Sequence, residues 1–148
     1  IFLVIGSTNS EAFVILKNKI KENNLHRYFK FIGRKFPIHG YLSSVDILIS
    51  PAEHEALGRT IIEAMSMRVP VVASDEGGHK DIIINNFNGL LSPTHSVNSY
   101  VKNILKIVKN KDLKKKIVSN AFLTAKNKFS VKLHVKKIEN LYLALKIN

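Results

Sequence analysis

Two glutamates in the middle of the chain, Glu55 and Glu63, flank a glycine and the start of a predicted helix. Gly58 is followed by Arg59 and Thr60, and apolar residues at helical spacing come next. The first amides of a helix have no partner within it and, together with the helix dipole, bind anions such as phosphate. A diphosphate there would bring a ribose near one carboxylate and a sugar near the other. The alternatives are that Glu55 is a solvated loop acid and that Glu63 is half of a surface ion pair.

Short apolar runs that predict β-strands alternate with helical patterns, and Glu55 follows the third run. The five predicted strands cover 1–5, 28–32, 46–50, 70–73 and 90–91. The predicted helices follow Ser10, lie at 41–44, 59–66 and 79–84, and fill 96–148 with breaks near 109–111 and 129–130. This alternation predicts an α/β fold with one Rossmann-like open parallel sheet flanked by helices. Ligands bind beyond the carboxyl ends of such strands, where Glu55 lies.

The composition is that of a globular protein without disulfides. The chain has 148 residues, of which 45% are hydrophobic and none is cysteine. We predict one domain over 1–148, and the lack of cysteine excludes disulfide scaffolds, thiolate zinc sites and iron–sulfur clusters. The six histidines lack ligand spacing, so no metal site is expected. The apolar runs are strand-sized and no leader is visible, so we expect a cytoplasmic protein; the opening without Met indicates a fragment of a longer chain.

The positive charge is concentrated in the last third of the chain. Residues 99–148 hold 13 Lys against two acidic residues, whereas residues 1–98 are nearly balanced. These lysines either solvate helix surfaces or contact an anionic membrane on its inner face. Nucleic acid is the weaker alternative, since few aromatic residues are interspersed. Periodic apolar residues predict stripes that face the core, namely Val101, Ile104, Leu105, Val108, Leu133, Ile138, Leu141 and Leu145.

The segment from Glu55 to Gly78 resembles the signature of the family 4 (group 1) retaining glycosyltransferases. The two glutamates are separated by seven residues, and Pro70–Ala73 and Gly77-Gly78 follow in the family's register. The resemblance continues in further segments, which are 31–34, 41–47, 81–83, 88–93 and 128–130.

The resemblance implies a GT-B architecture in which this chain is the C-terminal, nucleotide-sugar-binding domain. It implies transfer of a hexose from a UDP- or GDP-type sugar, with retention of anomeric configuration and without a metal or other cofactor. The acceptor, a glycan, lipid or small molecule of cell-envelope glycan biosynthesis, would be bound by an N-terminal domain that is absent here. The isolated fragment is therefore expected to be inactive.

The resemblance also assigns roles to individual residues. Glu55 would contact the transferred sugar as the catalytic residue, and Glu63 would bind the ribose. The donor sugar and diphosphate are assigned to Leu57, Gly58, Arg59 and Thr60, with the amides of Arg59 and Thr60 on the diphosphate. His79 is added from its position, because it follows Gly77-Gly78 at a predicted helix start where it could contact phosphate or sugar; the alternative is a surface or packing role. The nucleotide base is assigned to Phe31, Ile32, Gly33 and Arg34, largely through their backbone.

Departures from the family pattern keep other functions open. His54 precedes Glu55 and Ala56-Leu57 follow it, where the family has an aromatic residue and a glycine. The second glycine of the family's first turn is missing after Gly6, and so is a preceding unit that carries a basic pair. The alternatives are a nucleotide-sugar epimerase of the same fold, a basic nucleic-acid-binding module and a non-catalytic scaffold.

Overall fold

The computed structural model describes residues 1–145, so the last three residues of the predicted Lys-rich helices lie outside the described residues. Two compact units are present, one formed by Ile1–Ile38 and the other beginning at His39. All of the predicted strands are found, each within two residues of its predicted bounds. They form two parallel sheets, one in each unit, rather than the single sheet that was predicted.

The first unit pairs two parallel strands through a crossover helix. Strand β1 (Phe2–Ile5) leads to helix α1 (Glu11–Glu22), and after a 3-10 turn that the sequence did not predict, strand β2 (Phe29–Gly33) lies beside β1. Helix α1 begins after Ser10 as predicted, and the Ser10 hydroxyl caps it by accepting a hydrogen bond from the Phe13 amide at 3.3 Å.

The second unit is a three-stranded parallel sheet flanked by helices. Its strands are β3 (Leu48–Ser50), β4 (Val71–Ser74) and β5 (Leu90–Ser92), in the order β3-β4-β5. Its helices are α2 (His39–Leu42), α3 (Arg59–Ser66), α4 (Gly78–Ile82), α5 (Val97–Lys109), α6 (Lys111–Lys128) and α7 (Val131–Leu145). Every residue of β4 is buried, as expected for a central parallel strand covered on both faces. The α/β class with parallel sheets and flanking helices is thus confirmed.

Helix α3 carries the candidate site and is held by its buried face and by a contact just beyond its C-terminus. Its buried residues Ile61, Ala64 and Met65 recur at the three-to-four-residue spacing of one helix face. That face packs on β3, β4 and α6. Beyond its C-terminus the Arg68 guanidinium stacks on the Phe122 ring of α6, 3.9 Å from the ring centroid.

The prediction that the apolar stripes of the Lys-rich helices face the core is largely wrong. On α5, Val101, Leu105 and Val108 are exposed by 49%, 43% and 60%, and Ile104 is half-buried. On α7, Leu133 is half-buried and the other predicted stripe residues are exposed. The core of the unit is instead reached from α5 by Tyr100 and Ile107. Among the described residues, no helix is sufficiently long and apolar to cross a bilayer.

Candidate functional site

The side chain of Glu55 forms a hydrogen bond at the N-terminus of α3. The Gly58 amide donates a hydrogen bond to Glu55 Oε1 at 3.0 Å. Gly58 has a φ of 78°, a left-handed conformation that glycine adopts without a steric cost. The negative charge of Glu55 therefore lies at the positive end of the helix dipole. The Gly58 amide already donates to Glu55 and is not free to bind an anion. The anion site predicted from the sequence therefore consists of the amides of Arg59 and Thr60, which have no partner inside the helix.

Both glutamates are half-buried, and neither is paired with a cation from residues 1–145. Within residues 1–145, the recorded ion pair joins His95 Nδ1 to Glu53 Oε1 at 3.6 Å, and no basic side chain lies within 4 Å of Glu55 or Glu63. The surface ion pair considered for Glu63 is therefore not formed by the described residues. Glu63 is the fifth residue of α3, about 6 Å along the axis from Arg59. The carboxylates of Glu55 and Glu63 can therefore accept hydrogen bonds from the hydroxyl groups of a ligand that binds at the start of α3.

Gly77 and Gly78, at the start of α4, pack directly against the backbone of the loop that contains Glu55. The Gly78 amide donates to the Glu55 carbonyl oxygen at 2.8 Å. A Cβ atom added at Gly77 would collide with the Glu55 carbonyl, and one added at Gly78 would collide with the Ala56 carbonyl. The loops after β3 and β4 therefore touch backbone to backbone. From the sequence we predicted only a turn at this pair.

His79 is fully buried, and both of its ring nitrogens lie within hydrogen-bonding distance of serines. Nδ1 lies 2.7 Å from Ser74 Oγ, and Nε2 lies 3.3 Å from Ser50 Oγ. The sequence placed His79 on a loop facing sugar or phosphate, whereas the structure places its ring in the interior. Sequence reasoning missed Ser50 and Ser74, although each is the last residue of a strand, the position from which a parallel sheet presents its functional side chains.

The residues predicted to hold the base lie in the first unit, at and after the end of β2. Phe31, Ile32 and Gly33 are half-buried there, and Arg34 is exposed. Phe31 packs edge-on against Phe13, with ring centroids 5.0 Å apart. The structure thus brings Glu55, Leu57, Gly58, Arg59, Thr60, Glu63 and His79 together in the second unit, and it holds Phe31 to Arg34 in the other.

A groove of about 710 Å³ lies at the carboxyl ends of β4 and β5. Asp75, Glu76 and residues 93–98 line it. Tyr100 lies nearby, and among the described residues its buried hydroxyl has no hydrogen-bond partner. Burial raises the pKa of Tyr100 above its ordinary value of 10.0. The nearby Ser74 hydroxyl, which would stabilise the ionised phenolate, opposes this rise, and repulsion from the Glu76 carboxylate adds to it.

The described residues include no group of three or more His, Asp or Glu side chains placed to hold a metal ion.

Similarity to known proteins is found in both sequence and structure. The chain is 31% identical over 150 residues to poly(ribitol-phosphate) alpha-N-acetylglucosaminyltransferase of Staphylococcus aureus, covering 95% of this chain and 30% of the relative. It is 25% identical over 154 residues to UDP-Gal:alpha-D-GlcNAc-diphosphoundecaprenol alpha-1,3-galactosyltransferase of Escherichia coli, covering 100% of this chain and 38% of the relative. A crystal structure of Anabaena HepE in complex with UDP-glucose has a TM-score of 0.88 and 25% identity, over 96% of this chain and 40% of that one.

The chain spans between 30% and 40% of the length of these proteins. Its architecture matches the C-terminal domain of GT-B glycosyltransferases. The family model described as "Glycosyl transferases group 1" matches residues 1–124. The chain belongs to the group 1 glycosyltransferases.

Proposed function

We propose that this chain is the donor-binding domain of a family 4-like enzyme that transfers a hexose from a nucleoside-diphosphate sugar. The observation that carries the proposal is the placement of Glu55 on the N-terminus of α3, with the amides of Arg59 and Thr60 beside it and Glu63 one turn further. Helix amides attract a diphosphate, and unpaired carboxylates accept hydrogen bonds from ribose and sugar hydroxyls. The Anabaena neighbour, which binds UDP-glucose, supports this class of ligand.

In this arrangement each predicted donor residue except the buried His79 has a defined task. Glu63 accepts the ribose hydroxyls and Glu55 accepts hydroxyls of the transferred sugar. The diphosphate lies on the amides of Arg59 and Thr60, near Leu57 and Gly58. Contact of the base with Phe31, Ile32, Gly33 and Arg34 remains part of the proposal through the family resemblance alone.

We further propose that transfer retains the anomeric configuration and needs no metal. The E. coli relative is named for a UDP-Gal donor and an alpha-1,3 product, which is consistent with retention because UDP-galactose is itself α-linked. The helix start would stabilise the leaving diphosphate through its amides and dipole. NMR of the new glycosidic bond tests the first statement, and activity after treatment with a chelator tests the second.

Calorimetric titration of the complete enzyme with UDP, GDP and ADP tests the donor site. We expect one of the three nucleotides to bind. Glu63→Ala should weaken its binding free energy by roughly 1–3 kcal/mol because a charged hydrogen-bond acceptor is removed. Glu139→Ala is the matched control, since Glu139 lies on exposed α7. Equal affinity in both variants would contradict the proposed role of Glu63. Binding of no nucleotide by the wild type would remove the donor-site proposal itself.

The activity is expected to need the N-terminal domain, which would bind the acceptor. The relatives are more than twice as long as this chain, and two of them are named for a cell-envelope polymer or a lipid-linked acceptor. We expect the complete enzyme to transfer sugar and residues 1–148 alone to show no transfer with the same donor and acceptor. Equal turnover by the two proteins would overturn this requirement.

An anionic membrane surface is the proposed location of the complete enzyme, on the cytoplasmic side. The supporting observation is the exposed apolar stripe of α5, formed by Val97, Val101, Leu105 and Val108, on a helix without any acidic residue. Vesicles that contain anionic lipid should retain the protein more than zwitterionic vesicles do, and added salt should weaken retention. Retention that is equal on both and insensitive to salt would contradict this.

A further inference from the structure

We infer that His79 is a positioning residue, whose buried ring fixes the helix start and the Glu55 loop for donor binding. This inference rests on the proposed function of the site. It concerns a residue that touches no ligand, because its side chain has no exposed surface.

The protonation of one ring nitrogen follows from the hydrogen bonds around Ser74. The Ser74 hydroxyl donates its proton to the Ala52 carbonyl oxygen at 2.6 Å. The same oxygen lies 2.7 Å from His79 Nδ1, so it accepts there and Nδ1 carries a proton. A chain of bonds therefore runs from the His79 ring through Ser74 to the backbone three residues before Glu55.

The other side of the ring holds the end of the neighbouring strand. Nε2 lies 3.3 Å from the hydroxyl of Ser50, the last residue of β3, while Ser74 is the last residue of β4. One imidazole thus spans the carboxyl ends of two adjacent strands, which lie about 5 Å apart in a parallel sheet.

The ring also limits the position of Gly58, the residue that precedes α3. A Cβ atom added at Gly58 would lie 3.0 Å from His79 Cδ2, so the ring packs against this part of the backbone. The Gly58 amide is the group that binds the Glu55 carboxylate. His79 consequently connects both strand ends, the Ala52 backbone and the Glu55–Gly58 contact, and a shift of the ring moves the proposed sugar acceptor relative to the diphosphate site.

The first experiment measures steady-state kinetics of His79→Phe and His79→Asn in the complete enzyme. Phe keeps a flat aromatic ring, slightly larger than imidazole, without nitrogens, whereas the Asn amide can restore the donor to Ser74. We expect Phe to raise the KM for the sugar donor about tenfold with the acceptor KM unchanged, and Asn to recover most of the loss. An unchanged donor KM in folded His79→Phe overturns the inference.

A matched control separates positioning from loss of stability. Asn88 is equally buried, and its side chain bonds to Ile82, Ile84 and Thr124. Asn88→Ala should lower the melting temperature without changing the donor KM of the folded enzyme. If Asn88→Ala raises the donor KM as His79→Phe does, the effect is general destabilisation and the inference fails.

Hydrogen exchange provides a readout that does not depend on the transferase assignment. In His79→Phe we expect faster exchange of the Gly58 amide and of the other amides of residues 52–60, with α6 unchanged. Unaltered exchange at Gly58 overturns the positioning role. If the wild type binds no nucleotide sugar and exchange at Gly58 still rises in the variant, the proposed function fails while the positioning of this loop stands.

Discussion

The loops after β3 and β4 differ from the helices of the Lys-rich segment in which groups are buried and which are exposed. In the loops, the half-buried Glu55 carboxylate, the buried His79 ring and the buried Ser74 hydroxyl each have a hydrogen-bond partner inside the unit. On α5, apolar side chains such as Val97 and Val108 remain exposed by 73% and 60%. A fixed polar cluster is suited to hold one small ligand in one geometry, whereas an open apolar surface beside lysines is suited to another large surface.

The close contact of the two loops is tested most severely by Gly78→Val. The new side chain would collide with the Ala56 carbonyl, which is backbone and cannot move alone. We expect a loss of roughly 3 kcal/mol or more in the free energy of unfolding, with donor binding abolished. Denaturant unfolding and nucleotide titration measure the two effects.

Gly40→Ala is the control for this glycine, because a Cβ atom at Gly40 has no neighbour within 4 Å. It should be neutral or stabilising by about 0.5–1 kcal/mol in helix α2. Similar losses from Gly78→Val and Gly40→Ala would show that the loops are not packed as closely as the structure indicates.

Two neighbouring residues of α5 test the contrast within a single helix. Ile107 is 1% exposed and Val108 is 60% exposed. Ile107→Ala should cost about 2–5 kcal/mol because it opens a cavity in the core, whereas Val108→Ala should change stability by less than about 0.5 kcal/mol. Parallel denaturant titrations of both variants measure this. Comparable losses would mean that Val108 is covered, by a second copy or by another part of the protein.

The charge of Glu55 can be tested separately from its hydrogen bond. Glu55→Gln keeps an oxygen that can accept from the Gly58 amide but removes the negative charge. We expect kcat of the complete enzyme to fall roughly a hundredfold with little change in stability, since the proposed role of this charge is at the reacting sugar. Glu53→Gln, at an exposed position of the same loop, is the control. Full activity of Glu55→Gln would favour the non-catalytic scaffold instead.

Local patterns in the sequence were sufficient to predict the strands and the helix that carries Glu63. Residues 70–73 form a compact apolar run, and Ser10 precedes its helix and accepts a hydrogen bond from the Phe13 amide. The Ser50–His79–Ser74 cluster could not be predicted, because its members are brought together only by sheet pairing. The exposure of Val101 and Leu105 was missed for a related reason: helical spacing shows that a stripe exists, but only tertiary packing decides whether it is covered.

The smallest effect is expected at Tyr100, where the core of the second unit meets the polar loops. At neutral pH Tyr100→Phe should change the free energy of unfolding by no more than about 1 kcal/mol, since the hydroxyl has no hydrogen-bond partner among the described residues. The pKa of Tyr100 is raised in the folded state, so the unfolded chain releases its proton first, near pH 10. Stability should therefore fall as the pH rises from about 10 towards the folded-state pKa, and Tyr100→Phe should lose this component. Urea titrations from pH 8 to 11 measure it, and parallel decline of both proteins over that range would show that Tyr100 is not the residue responsible.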